Sequence, residues 1–420
     1  LQPGTDIAFN QRALTEIPDE TGLLTCMFTP AHEVLLAVVW RDRGTLVRRT
    51  LLRGEGLGVR VRHLATALIR PGPEELDGQH GPARQRGEQW AHLHESLAPL
   101  LAELLSDAPE GLRLAVFTPG GPRPLPWLAL MPDRVVGVWQ VPALGWWPAG
   151  APGRTACWFD AAGDSARTSH GEVVIAGLRA LWPPETVLGA PDHRGTDVPE
   201  AQQVERTAAS GAVRLRFYGV GFADGVTDRE AGLRLGGSRA FVDRNLAETC
   251  FGPGSEVEMW TATPCIFGWS RYMLDDGDRI PGLAHSFLGC GATAVLDLAW
   301  PVHDLIKALV CEHYSLLRGT RAVDGAMALA AAARWCRRVM ALLRERGPST
   351  HEAALAVLDG ERQQTAKLLG VAESAILSLP RAPIPTDLDA WIAEVTTPSH
   401  LAAFRWWGTC AVGPVGEPQV

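Results

Sequence analysis

The chain has 420 residues, of which 46% are hydrophobic and 20% charged, a composition typical of a globular protein with one large domain or two ordinary ones. The formal net charge of −8 argues against a nucleic-acid partner, because binding to phosphates needs a concentrated basic face. No two of the eight cysteines lie two or three residues apart, so neither a zinc knuckle nor a redox pair is indicated. We therefore expect no metal and no cofactor.

The longest apolar run without a charge covers residues 135–153 and raises the question of a membrane span. It contains Pro142, Pro148 and Pro152 together with four glycines, which argues against a helix. The N-terminus shows no basic segment followed by an apolar one, so no secretion signal is expected. With several cysteines inside apolar segments, these features favour a reducing cytoplasm and no membrane partner.

The first part of the chain predicts a hairpin, a helix and a strand. Residues 1–20 are polar and unpatterned and are expected to form a loose lead-in. Two apolar runs, 33–40 and 45–52, flank turn-like residues and predict a β-hairpin. A surface loop follows at 71–88 and a helix at 90–105. A strand at 112–117 then enters a Pro-Gly turn.

Beyond a Gly- and Pro-rich boundary at 148–155, strand-like runs alternate with helix-like segments. The strand-like runs cover residues 156–159, 186–188, 213–218, 257–262 and 292–298. The helix-like segments cover residues 171–181, 198–208 and 280–288, followed by longer helices at 304–317, with Asp304 as its cap, and 323–346. Such alternation predicts a parallel sheet with helices on both faces, and ligands bind such sheets at the carboxyl ends of the strands.

Five segments, in chain order, resemble the CHAT family of caspase-like bacterial proteins. They are PGGP with LPWLAL at 119–130, RFYGVGF with GLRL at 216–235, WTATPC at 260–265, GLAHSFL through LAWPVHD at 282–304, and LAAF to Gly408 at 401–408. The family patterns are a Pro-x-Gly turn with LPFxxL, HFAxHGx with GLxL, LSAC, GLARAFLxAGA with LWPVDD, and WAAFxxxG. The resemblance covers roughly residues 110–410, and the stretch 347–395 is an insertion relative to the family.

The resemblance implies a caspase-like α/β/α sandwich with a mostly parallel sheet, preceded by a smaller N-terminal α+β half-domain. In this division, residues 21–150 form the half-domain. Residues 151–420 form the caspase-like core, with the insertion at 347–395 inside it.

The family's chemistry depends on a His after one strand and a Cys after the next. The thiolate attacks a peptide carbonyl, and the imidazole takes its proton and later protonates the leaving amine. The match places Val220 at the His position, and an aliphatic side chain cannot carry a proton. Gly221 is retained, so the resemblance keeps a turn whose backbone could hold an oxyanion.

Two alignments fit the nucleophile position. The one without a gap places Thr263 there, and a two-residue slip places Cys265 there instead. His285, in the next predicted helix, is a candidate substitute base in the second alignment, although a His in such a half-apolar helix is more often a partly buried packing residue. Asp275 and Asp278 either line the first specificity pocket or form a solvated turn.

Three functions follow from these observations. The first is a pseudo-peptidase that binds a protein or peptide partner in a bacterial regulatory or conflict pathway. The second is a cysteine endopeptidase that uses Cys265 with an atypical base. The third is a different chemistry in the repurposed cleft.

Overall fold

The computed structural model describes residues 17–54, 56–69, 83–118, 125–141, 154–159, 187–188, 206–209, 211, 213–218, 221–222, 232–235, 240–243, 251, 254–262, 284, 287–288, 291–300, 302–320, 323–371 and 387–408. An eleven-stranded sheet dominates the structure. Its strands, in chain order, are β1 (Thr21–Phe28), β2 (Val34–Asp42), β3 (Thr45–Arg53), β4 (Leu112–Phe117), β5 (Val135–Gln140), β6 (Arg154–Phe159), β7 (Val187–Leu188), β8 (Val213–Tyr218), β12 (Glu256–Ala262), β13 (Ala294–Leu298) and β14 (Phe404–Gly408). A second sheet contains β9 (Gly221–Phe222), β10 (Gly232–Leu235) and β11 (Ala240–Asp243).

The large sheet contains two blocks of parallel strands that run in opposite directions, with the antiparallel hairpin β2–β3 at one edge. Its order is β3-β2-β1-β4-β5-β14-β13-β12-β8-β6-β7. β1, β4, β5 and β14 are parallel to one another, and so are β13, β12, β8, β6 and β7. The blocks meet where β14 pairs antiparallel with β13, with Val295 opposite Trp407. The predicted α/β fold with a mostly parallel sheet is therefore confirmed, and strands from both sides of residue 151 share one sheet.

The predicted hairpin is confirmed as β2 and β3, which pair over nine consecutive positions. Its two-residue loop consists of Arg43 (φ 48°) and Gly44 (φ 79°). Two residues with positive φ form the turn whose twist matches that of the adjoining strands, and glycine adopts this conformation without strain. The Gly44 N–H donates to Asp19 Oδ1 (3.0 Å), which ties the hairpin tip to the lead into β1.

Eight helices surround the described part of the sheet. They are α1 (Leu57–Ile69), α2 (Ala83–Leu104), α3 (Trp127–Leu130), α4 (Asp304–Thr320), α5 (Gly325–Arg346), α6 (His351–Leu369), α7 (Leu388–Val395) and α8 (Ser399–Ala402). Apolar residues from all eight helices join the strands in one continuous core cluster. That cluster includes Leu24 from the first block of strands and Leu296 from the second, both fully buried.

Helix α5 lies on the sheet where the two blocks meet. Asp324 caps its first turn by accepting from the Met327 N–H (2.9 Å), and Gly347 ends it in the left-handed conformation (φ 49°). Gly325 rests on the Trp406 ring, and a Cβ at this position would overlap that ring. Only glycine lets the helix approach the indole this closely.

Three predicted helix boundaries were wrong. α2 begins at Ala83, inside the predicted loop, and the buried Arg86 in its first turns donates from Nε to the Leu68 carbonyl (2.9 Å). α4 continues past the predicted stop at residues 318–319, because the Arg318 side chain is held by protein partners, among them the Val323 carbonyl (3.0 Å). The cap of α4 is one residue earlier than predicted, since His303 Nδ1 accepts from the Leu305 N–H (3.2 Å).

The insertion at 347–395 contains α6 and α7, and α6 is anchored to α4 by a buried ion pair. Arg362 Nε and Nη2 donate to the two carboxylate oxygens of Glu312, at 2.9 and 2.7 Å. Trp335 Nε1 also donates to Thr365 Oγ1 (2.9 Å), which joins α5 to α6. The insertion is thus part of the core packing.

Other predicted helices are described only in part. Residues 206–209, 284, 287 and 288 are helical, whereas the predicted helix at 171–181 lies outside the described residues. No described helix is long and apolar enough to cross a membrane.

Candidate functional site at the ends of β8 and β12

The two strands that carry the family-like motifs are neighbours in the sheet. β8 and β12 pair in parallel, with Arg214 opposite Glu256, Arg216 opposite Glu258 and Phe217 opposite Met259. Because parallel neighbours end at the same edge, β8 and β12 end side by side. These are the two strands that precede the positions at which the resemblance implies a catalytic dyad.

Most of the predicted site residues lie outside the described residues. These are Val220, Thr263, Cys265, Asp275, Asp278 and His285. Gly221 is described and begins β9, three residues after the end of β8, where it pairs with Leu233 of β10.

A buried charge network lies on β8 and β12 and was not predicted from the sequence. It consists of three arginines and two glutamates, namely Arg214, Arg216, Arg318, Glu256 and Glu258, each at most 8% exposed. Side chains two residues apart on a strand share a face, so the two pairs from β8 and β12 meet on one side of the sheet. We call this group the β8–β12 charge network.

The ion pairs of the network are short and cross from strand to strand. Arg214 Nε lies 3.0 Å from Glu256 Oε2 and 3.4 Å from Glu258 Oε1. Arg216 pairs with Glu258, and Arg318 of α4 pairs with Glu256. Charges removed from water need such partners, because an uncompensated buried charge costs several kcal/mol.

Helix α4 contributes neutral partners to the same network. The Tyr314 hydroxyl donates to Glu258 Oε1 (2.7 Å), and Arg216 Nη1 donates to Ser315 Oγ (2.8 Å). Trp260, fully buried one step further along β12, packs edge-on against Tyr314 with ring centroids 5.3 Å apart. α4 is therefore fixed to the two strands through polar as well as apolar contacts.

The two carboxyl groups of the network have opposite pKa shifts. Burial raises the pKa of Glu256, although Arg318 and Arg214 act against it. Burial also acts to raise the pKa of Glu258, but Arg216, Arg214 and Arg318 together with the Tyr314 hydrogen bond outweigh it and hold that pKa below its usual range. Burial and the Glu258 charge raise the pKa of Tyr314.

A second buried pair lies where the two blocks of strands meet. Arg405 Nε and Nη2 donate to the two carboxylate oxygens of Asp297 at 2.9 and 2.6 Å, and Trp407 Nε1 donates to Oδ1 (3.1 Å). This bidentate pair joins β13 to β14 directly across their antiparallel register.

The described charges near the strand ends serve structure. The network contains carboxylates, guanidiniums and a phenol, but no imidazole and no thiol among the residues that the structure describes. No described group of His, Cys, Asp and Glu side chains is arranged to hold a metal ion. The sequence did contain a signal for the network, since Arg-x-Arg and Glu-x-Glu occur in two neighbouring apolar strands.

No family model matches the chain, and no curated protein matches it. Among solved structures, the Saccharomyces cerevisiae separase–securin complex aligns with 78% of this chain at 9% identity and a TM-score of 0.48. The complex of the pro- and mature domains of Porphyromonas gingivalis RgpB aligns with 58% of this chain and 64% of its own, at 6% identity and a TM-score of 0.40. This chain spans 30% of the separase-complex chain that it matches. The fold class rests on the sheet topology and the helix placement described above.

Proposed function

We propose that this chain is a CHAT-type, caspase-like pseudo-peptidase that acts by binding a protein or peptide partner in a bacterial regulatory or conflict pathway. The observation that carries the proposal is the parallel pairing of β8 with β12, because it sets the segments that resemble the two catalytic motifs side by side. A caspase-like dyad needs that juxtaposition.

The chemistry of the dyad-equivalent positions argues against peptide cleavage. Val220 occupies the position of the general base, and its side chain can neither accept nor donate a proton. A Cys at position 265 without a base is only a few per cent thiolate at neutral pH. A chain with this pair of residues is therefore expected to keep the shape of the peptidase and lose its turnover.

The β8–β12 charge network supports retention of that shape. It fixes β8, β12 and α4 to one another in a buried environment, where removal of any one charge is costly. Neither strand depends on a catalytic residue for its position. The edge beyond the network can therefore present a fixed surface to a partner after catalysis has been lost.

Labelling with an electrophilic peptide tests the proposal. Peptidyl acyloxymethyl ketones with either Arg or Asp at the reacting position are added to the full chain, and labelled sites are read by mass spectrometry. We expect Cys265 to be labelled no faster than the thiol of a free cysteine peptide. The matched control, Cys250→Ala, should show the same slow labelling of Cys265. Rapid labelling that disappears only in Cys265→Ala, together with cleavage of the matching substrate, would falsify the pseudo-peptidase assignment.

A further inference from the structure

β3 is the outermost strand of the large sheet on the side of the hairpin, and it is long and regular. It is last in the strand order and pairs with β2 over nine consecutive positions without a bulge. No other strand among the described residues pairs with its outer side, which we call the β3 edge. Natural proteins keep such strands short, or interrupt them with proline or a bulge, because unpaired N–H and C=O groups recruit other strands. β3 contains neither interruption, so the β3 edge is suited to pairing.

The hairpin determines which backbone groups point away from the sheet at the β3 edge. In a hairpin with a two-residue loop, the residues that flank the loop form a hydrogen-bonded pair, here Asp42 and Thr45. Such pairs alternate along antiparallel strands, so the odd-numbered residues from 45 to 53 bond to β2. The N–H and C=O groups that point away from β2 belong to Leu46, Arg48, Thr50 and Leu52. A row of donors and acceptors at this two-residue spacing matches the backbone of another extended segment.

The side chains of β3 carry positive charge on both faces of the sheet. β3 contains Arg48, Arg49 and Arg53 and no acidic residue. On the face toward α2, Arg49 pairs with Asp107, and Arg53 pairs with Glu103 (2.7 Å), so these two charges are compensated. Arg48 lies on the opposite face, is exposed, and forms no ion pair with a carboxylate in the described part of the chain. The uncompensated charge of β3 is therefore that of Arg48.

The face of the hairpin that carries Arg48 has no acidic residue. The other even-numbered residues of β3 share this face with Arg48, and one of them, Leu52, is 50% exposed. Asp42 is the only acidic residue in the sequences of β2 and β3, and it pairs with Thr45 on the other face. A strand added at the β3 edge would therefore meet apolar side chains and one free positive charge on this face.

The segment around β3 stays basic when its acidic neighbours are included. Asp19 and Glu33 lie at the two ends of the hairpin, where Asp19 accepts from the Gly44 N–H and Glu33 accepts from the Thr29 hydroxyl. Residues 41–70 contain eight arginines and two acidic residues, a net charge of +6 in a chain whose net charge is −8. An acidic partner is therefore attracted to this segment, although the chain as a whole repels it.

The arginines of β3 also argue against a second copy of this chain as the added strand. The antiparallel register that pairs all nine residues of one β3 with those of another places Arg49 opposite Arg49. Like charges directly opposite each other destabilise a sheet, whereas opposite charges stabilise it. The charge of β3 thus disfavours self-pairing and favours an acidic strand.

We propose that the β3 edge binds an extended, acidic segment of a partner protein, which adds a strand to the large sheet and places an acidic side chain beside Arg48. Six strands separate β3 from β12, so the site is distant from the ends of β8 and β12. The proposal rests on the proposed binding role and gives the chemistry of the partner. Its failure would leave the absence of peptidase activity untouched, because the labelling test reads Cys265 and this test reads β3.

Four fluorescein-labelled peptides of about ten residues test the site, since this length spans β3. The first alternates Glu with Val and Thr, and the second has Lys in place of Glu. The chain's net charge of −8 would by itself favour the Lys peptide, so a preference for Glu reports the local charge at β3. The third and fourth are Glu peptides with N-methylated amides, at the Glu residues in one and at the residues between them in the other. Because alternate amides of an added strand point at β3, only one of these two peptides should lose binding.

We expect fluorescence anisotropy to show the Glu peptide binding roughly tenfold tighter than the Lys peptide, and Arg48→Glu to abolish or reverse that order. Arg346→Glu, at an exposed position at the end of α5, is the matched control and should leave the order unchanged. Thr50→Pro should weaken binding of the Glu peptide roughly tenfold without unfolding the hairpin, because it removes an N–H that points away from β2. Thermal unfolding followed by circular dichroism checks that this variant is folded.

The proposal is overturned if neither the Glu nor the Lys peptide binds, if both bind equally, or if N-methylation at either set of amides has no effect. It is also overturned if Arg346→Glu acts as strongly as Arg48→Glu. A short oligothymidylate that binds at the same residues more tightly than the Glu peptide would overturn it in favour of a nucleic-acid partner. A dimer in analytical ultracentrifugation that Thr50→Pro abolishes would overturn it in favour of a second copy.

Discussion

Arg216 and Glu258 face each other across β8 and β12, and both side chains are fully buried. The Tyr314 hydroxyl donates to Glu258 and Arg216 donates to the Ser315 hydroxyl, so α4 and the two strands share one polar contact. The charges of Arg216 and Glu258 lie beneath the sheet edge where ligands would bind. Each is paired with the other and hydrogen-bonded to a side chain of α4. Removal of either charge should therefore lower the stability of the fold.

Glu258→Gln should destabilise the protein by about 3–5 kcal/mol, because it leaves buried arginines with one carboxylate instead of two. Urea unfolding followed by circular dichroism gives the difference. Glu345→Gln, at an exposed position of α5, is the control and should change the free energy of unfolding by less than about 0.5 kcal/mol. Equal effects of the two substitutions would contradict a structural role for the network.

Acid should destabilise the protein through His313. Burial, with Arg338 nearby, lowers the pKa of His313 to about 4, and its ring stacks on Trp335 with centroids 4.6 Å apart. The unfolded chain binds this proton near pH 6.5 and the folded chain only near pH 4, so stability falls as the pH falls through this window. The slope should approach about 1.4 kcal/mol per pH unit.

The comparison that isolates this effect is wild type against His313→Gln. The free energy of unfolding of the two proteins, measured from pH 7 to pH 4.5, should converge as the pH falls. A constant difference across that range would show that His313 does not titrate differently in the two states.

Arg362→Ala should loosen the insertion. It leaves the buried Glu312 carboxylate without its bidentate partner and should cost about 3–5 kcal/mol. Lys367→Ala, exposed on the same helix, should be nearly neutral. In a double-mutant cycle, adding Glu312→Ala to Arg362→Ala should lower the free energy of unfolding much less than Glu312→Ala does alone. Additive effects of the two substitutions would contradict an energetic coupling between Arg362 and Glu312.

Gly325→Ala and Gly360→Ala should have opposite signs. The first forces α5 away from Trp406 and should cost about 1–3 kcal/mol, whereas the second meets no atom within 4 Å and should gain roughly 0.5–1 kcal/mol. Thermal unfolding distinguishes them. Trp406→Leu should remove most of the added cost of Gly325→Ala, and if it does not, the close approach of helix and ring is not the cause.

Restoring the dyad should separate the two alignments of the nucleophile. Val220→His combined with Thr263→Cys should react with an electrophilic peptide at residue 263 if that position is equivalent to the family nucleophile. Val220→His alone should make Cys265 reactive if the slipped alignment holds. We expect the first result, at least tenfold above wild type, because a nearby imidazole raises the thiolate fraction. Val220→Ala with the same cysteine is the matched control.

The sequence predicted most strands of the large sheet but missed β1 (Thr21–Phe28) and β5 (Val135–Gln140), and it did not predict the buried charge network. Residues 112–117 and 213–218 have the predicted bounds because a short apolar run between turn residues has few alternatives. The helix over 83–89 was missed because its charged face has the composition of a loop. Arg318 was read as a helix stop because local sequence does not show that its side chain reaches Glu256, 62 residues away.

The sequence predicts which edge of the sheet carries the candidate site. The charged groups beneath that edge could not be predicted, because they meet only when strands far apart in the sequence pair. Alternating strands and helices predict which strand ends can carry ligands, and β8 and β12 are indeed neighbours. The order of strands, and with it the meeting of Arg-x-Arg with Glu-x-Glu, depends on contacts about 40 residues apart. No local pattern specifies such contacts.

Because β13 and β14 run in opposite directions, the strands of the two blocks have their carboxyl ends at opposite edges of the sheet, and ligands can bind at either edge. β4 and β12 end at opposite edges of the sheet, separated by a strand length of about 20 Å. A ligand bound where β12 ends would therefore leave the edge at which β4 ends unoccupied.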